Sequence, residues 1–191
     1  MRRKLALALS IMLCLTLCAC TGSSREMSEN VLDIRAKYLG AESLDMTLSL
    51  EADSGGRIYD FKIRFTGSDS EGKVEILEPE SIAGVTAEIK DGRAVLGFDG
   101  VTFDIGELFG GAESPLEIVP LLLGAWKNSR ISSSYAEKQD GEILTVMETA
   151  IGSGGCVQRT WFDSEMLPVY AEIESGGRRV VFCTFENTDV N

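Results

Sequence analysis

The sequence predicts a mainly β (α+β) domain. About eleven antiparallel strands form one curved sheet, an unclosed β-barrel, with an N-terminal helix and a buried central helix as plug or lid. Three observations lead there. Most of the chain after residue 43 alternates apolar and polar residues with a period of two, the mark of strands buried on one face. Asp-Gly pairs at 91, 99 and 140 separate several of these runs and supply the positive φ angles of a type I′ hairpin. One segment, residues 116–126, is apolar on every side at helical spacing and needs an apolar concavity to sit in.

The chain opens with an address. Arg2, Arg3 and Lys4 precede an apolar run over residues 5–17, too short for a permanent span of ~20 residues but right for a secretory signal peptide. Leu17-Cys18-Ala19-Cys20 ends it. An aliphatic residue three before a Cys, and a small one just before it, resemble a bacterial lipobox. That resemblance implies cleavage after Ala19 and diacylglycerol on the Cys20 sulfur. The expected organisation is a signal peptide over 1–19, the lipidated Cys and a polar tether over 20–28, and one domain over 29–191.

Cleavage changes the charge. The whole chain carries 18 Lys+Arg against 30 Asp+Glu, net −12; removing three basic residues leaves 15 against 30, net −15. Such a body has no basic face for phosphates, which excludes nucleic acid as a partner, and it is repelled by anionic lipid. The membrane is therefore reached through the acylated Cys20 and not through the protein surface.

The elements follow in order. Ser28 is placed to cap a helix whose stripe is Val31, Ile34 and Tyr38, with Gly40 as its stop. Leu44, Met46, Leu48 and Leu50 then alternate with polar residues, and after Ser54-Gly55-Gly56 the alternation resumes with Tyr59, Phe61, Ile63 and Phe65. Strands are expected over 73–77, 85–90, 93–98 and 101–105. Ser114-Pro115-Leu116-Glu117 reads as a capping box opening the apolar helix, which Pro120 is expected to kink or split. Strands over 131–137, 143–151, 156–162, 169–174 and 178–185 complete an antiparallel meander.

This order resembles the LolA/LolB-like lipoprotein carriers. Local wording agrees: Glu78-Pro79-Glu80-Ser81-Ile82-Ala83-Gly84, Phe98-Asp99-Gly100, Ser114-Pro115, Trp161-Phe162-Asp163 and Leu167-Pro168. Within that superfamily the chain looks most like small Gram-positive lipoproteins of the GerS, spore-germination type. The resemblance implies an open barrel with a helical lid and an apolar interior, and relatives that bind acyl chains or partner proteins. It transfers no individual polar residue at the barrel mouth. A chain that keeps Cys20 also departs from the soluble carriers, since an anchored protein does not shuttle between membranes.

No catalytic set assembles. The chain has no His, the commonest general base and metal ligand. Glu78 and Glu80 read as solvated turn carboxylates, and the Asp-Gly pairs lack the dense oxygen series of a calcium loop. Gly110-Gly111 and Gly154-Gly155 lack the strand–loop–helix setting of a phosphate cradle. Cys156 and Cys183 are either buried apolar side chains or a disulfide, which an exported location permits. Neither a metal, a cofactor nor enzymatic activity is expected.

Two functions remain. In the first, Leu44, Met46, Leu48 and Leu50 line a cavity with Tyr59, Phe61, Ile63 and Phe65. Leu122 and Trp126 of the central helix close it over an acyl chain or other apolar ligand, driven by about 0.8 kcal/mol per buried methylene. In the second, the core is solid and the lipoprotein is an adaptor for another exported protein, such as a cell-wall amidase in spore germination.

Overall fold

The computed structural model describes residues 21–68, 71–107, 114–151 and 155–191. Cys20, its leader, Gly110-Gly111 and Gly154 lie outside them, so the expected lipidation does too. Two helices, α1 (Thr21–Gly40) and α2 (Ile118–Asn128), pack on one eleven-stranded sheet. Among the described residues no helix is long and apolar enough to cross a membrane.

The first half runs β1 (Leu44–Ser54), β2 (Arg57–Gly67), β3 (Glu71–Glu78), β4 (Thr86–Lys90), β5 (Arg93–Phe98) and β6 (Val101–Glu107). The second runs β7 (Ile131–Gln139), β8 (Glu142–Ile151), β9 (Cys156–Phe162), β10 (Pro168–Ser175) and β11 (Arg178–Val190). Asp91, Asp99 and Asp140 have φ near +50° with a positive-φ Gly after each, as the hairpin reading requires.

The sheet is not one meander. Its order is β6-β5-β4-β3-β2-β1-β11-β10-β9-β8-β7, so two meanders join where the first strand pairs with the last. All eleven strands are antiparallel to their neighbours, and β6 and β7 remain edges. The connection carrying α2 runs from one edge to the other.

Three expectations about the helices change. First, α1 begins at Thr21, not at Ser28, which lies inside it; the polar segment expected as a tether forms its first turns. Those turns carry no apolar stripe, so periodicity shows the helix only from Val31. Second, Ser114 does not cap α2. A turn over 115–117 comes first, and the cap position is Glu117, whose side chain does not cap the helix. Third, Pro120 neither kinks nor splits α2, because it sits in the first turn, where its missing N–H has no helical acceptor to lose. A helix starting at Pro115 would have needed that N–H.

The core face of the sheet carries the alternation read from the sequence. Leu44, Met46, Leu48, Leu50, Ile63 and Phe65 are buried against Val31, Ile34 and Tyr38 of α1 and the apolar side chains of α2. β11 runs five residues past the apolar pattern. A bulge between Thr47 and Leu48 lets Asn187–Val190 continue pairing with β1 although Asn187 and Asp189 are polar.

Candidate functional site

The expected site is the interior of the open barrel, and the two helices fill it. Leu122 and Trp126 reach down from α2 and are fully buried. The Trp126 ring lies 4.9 Å from Tyr38, 5.4 Å from Phe162 and 6.0 Å from Phe185, in tilted and edge-on arrangements that favour aromatic pairs. Its Nε1–H donates to Thr160 Oγ1 at 2.9 Å. Gln158 Nε2 donates to Thr160 Oγ1 and to the Leu122 carbonyl, tying the sheet to α2.

Of the ten side chains expected to line a cavity, eight are buried in the core cluster, Leu50 among them also bordering an open cleft of about 360 Å³ with Phe61. The other two lie on β2. Phe61 is half-buried, and Tyr59 is 45% exposed. β3 pairs with β2 only from Lys62 onward, so the hairpin end that carries Tyr59 projects past the covered sheet.

The helices are also latched. Arg35 on α1 donates from Nε to the Trp126 carbonyl at 3.1 Å and from Nη2 to the Ser129 carbonyl at 2.5 Å. These are carbonyls at the C-terminal end of α2, where the helix dipole is negative and a cation is favoured. Lys37 Nζ donates to the Glu165 carbonyl, and the Tyr38 hydroxyl to the Met166 carbonyl, in the turn between β9 and β10. Burial, and secondarily the Asp163 charge, pushes the Tyr38 phenol far above its ordinary value, so it stays a neutral donor. An Arg35→Ala variant is expected to lose roughly 1–2 kcal/mol, below the full value of a buried charged bond because the guanidinium is part-exposed. Urea unfolding of the variant measures it, and an unchanged midpoint would show that the latch contributes nothing.

Cys156 and Cys183 are unpaired. The β9-β10-β11 register sets Cys183 level with Ala171 and Thr160, four residues from Cys156 and two strands away. Two strand spacings already amount to about 9–10 Å, beyond the ~7 Å limit for a disulfide. Burial pushes the Cys183 thiol far up, so it packs as a small apolar side chain. Glu78 and Glu80 are exposed at the end of β3, and among the described residues no cluster of His, Cys, Asp or Glu can hold a metal.

Three surface features went unread in the sequence. A cleft of about 410 Å³ opens between α1 and the second half-sheet, with Met27, Ile34, Ile143 and Met166 among its walls. On the outer wall one cross-strand row aligns Glu148, Arg159 and Glu172. Arg159 Nε donates to Glu148 Oε1 at 2.7 Å and Nη1 donates to Glu172. At the β5–β6 edge, Phe98, Val101 and Phe103 are 50%, 53% and 61% exposed. Alternation marks such residues as apolar but not as uncovered; that depends on where the helices stop.

No family model and no curated protein matches the chain. Its structure is similar to that of an uncharacterized conserved protein from Thermus thermophilus, at 10% identity over 86% of this chain and 87% of that one, with a TM-score of 0.53. It is also similar to a putative outer membrane lipoprotein-sorting protein domain from Vibrio parahaemolyticus, at 11% identity over 85% and 91%, TM-score 0.48. A LolA superfamily protein from Nitrosomonas europaea matches at 13% identity over 84% and 93%, TM-score 0.47. At 10% identity the likeness to the Thermus thermophilus protein is one of fold alone.

Proposed function

We propose that the protein is an extracytoplasmic lipoprotein, anchored through Cys20, that binds another exported protein on the outside of a solid domain. The observation that carries this reading is the filled interior. Side chains that would have lined a ligand cavity are closed over by Trp126, Leu122 and Tyr38, and Arg35 holds the two helices together. No catalysis is assigned. The germination-type resemblance makes a cell-wall amidase the first partner to test by name.

The test is chemical crosslinking of the full-length lipoprotein in its native membranes, followed by mass spectrometry. Recovery of one exported protein, in stoichiometric yield and without copurifying lipid, is the expected result. Copurified lipid with no protein partner would overturn it. It would favour a second reading, in which an acyl chain lies in the cleft between α1 and the sheet, beside the exposed Ile143 and the half-buried Met166.

A further inference from the structure

Among the described residues β6 pairs with β5 alone and is an edge of the sheet. Register sets Leu96 opposite Phe103 and Phe98 opposite Val101, with Ala87 opposite Leu96 on the other side. All of these face the core side of the sheet. Leu96 packs against the core, but Phe98, Val101 and Phe103 are each half or more exposed. The helices do not shelter them: α1 packs on β7 and β8 and α2 on β8, toward the opposite edge.

Proteins usually blunt such an edge with Lys, Pro or a very short strand. β6 is seven residues long and contains no Lys and no Pro. It has one bulge, opposite the Ala94/Val95 step. On the outer face its charges are Asp104 and Glu107, with Asp99 in the hairpin turn. The one base opposite them, Arg93, ion-pairs Asp104 at 3.3 Å. A ladder with no partner among the described residues, an apolar row on one face and an acidic row on the other define a complementary strand.

The geometry points to β6 as the docking edge for an extended segment of the partner protein, which adds as a twelfth strand. Its apolar side chains would cover Val101 and Phe103, and Lys or Arg at alternate positions would face Asp104 and Glu107. This rests on the reading that the protein holds another exported protein, and it names the surface and the chemistry of that partner. A second copy fits poorly, because edge-to-edge pairing would bring the Asp104 and Glu107 rows of two acidic chains together. A bilayer fits poorly for the same reason of charge.

The test uses full-length protein in detergent and two labelled eight-residue peptides, one alternating Val and Lys, the other Val and Glu. The Val/Lys peptide should bind, and the Val/Glu peptide should not. Phe103→Lys, a change at an exposed position, should weaken Val/Lys binding at least tenfold. The double change Asp104→Lys with Glu107→Lys should reverse the preference between the peptides. Equal binding of the Val/Lys peptide to the wild type and to Phe103→Lys would overturn the proposal. So would loss in Phe103→Lys of self-association, or of binding to phosphatidylglycerol vesicles, with peptide binding unchanged. Crosslinking in native membranes separates this failure from that of the parent reading. If Phe103→Lys still captures the same partner as the wild type, β6 is not the dock but the adaptor stands. If the wild type captures none, the adaptor itself fails.

Discussion

Replacing Trp126 with Ala should destabilise the domain by about 3–5 kcal/mol, the cost of opening a large cavity in a core. That is a large share of the ~5–15 kcal/mol that holds a domain of this kind together. The site has little means of collapse. Trp126 is enclosed by Tyr38, Phe162 and Phe185, each fixed on a different element. Removing the indole also deprives Thr160 Oγ1 of its 2.9 Å donor inside a strip where Thr149 Oγ1 and Gln158 Oε1 have no partner. Trp126→Phe should cost less, since it keeps an aromatic edge and loses only the donor and part of the volume. Chemical unfolding followed by circular dichroism measures both. A loss under about 1 kcal/mol for the Ala variant would mean that α2 rests loosely on the sheet, as a movable lid over a hollow barrel would.

Arg159→Ala is the second large effect expected, about 2–4 kcal/mol, on the outer wall of the sheet. Glu148 and Glu172 flank Arg159 in register, and Glu174 lies 3.7 Å from its Nη1. The side chains of Arg159, Glu148 and Glu172 are only 22%, 19% and 12% exposed, so they are screened less than surface pairs. Truncating the cation leaves carboxylates facing one another without a partner, which costs more than the pair contributes. Adding Glu148→Gln and Glu172→Gln to Arg159→Ala should recover most of the loss at neutral pH. A loss that the two Glu→Gln changes leave unrecovered would show that it comes from packing of the Arg159 stem.

The strands were legible because one face is wet: Leu44 to Leu50 alternates without interruption, and burial follows it residue by residue. The helix starts were less legible for opposite reasons. In α1 the first turns are polar in sequence and leave no periodic trace. In α2 a convincing capping box at Ser114 competes with the demand that Pro120 lie in the first turn, and the proline prevails. The last five residues of β11 escaped notice because a bulge shifts their register and their outward side chains are polar. Neither the Arg159 row nor the bare β6 edge can be read locally. Each depends on which strand lies beside which, and on where a helix ends above it. The same holds for the filled interior: apolar alternation is identical for a hollow barrel and a solid one, and helix volume decides between them.

The junction of β1 with β11 has a consequence for how the molecule comes into being. Within each half, every strand pairs with its neighbour in sequence, so both halves are built from short-range contacts that form early. Leu44 with Val190, and Leu50 with Cys183, are the reverse: partners separated by nearly the whole domain. Until β11 is in place, β1 keeps one unpaired edge, and only with β11 do the two halves become one sheet. The step most exposed to misassembly is therefore the middle of the finished sheet. A chain cut short before residue 178 would lose the seam and not an ornament at the rim.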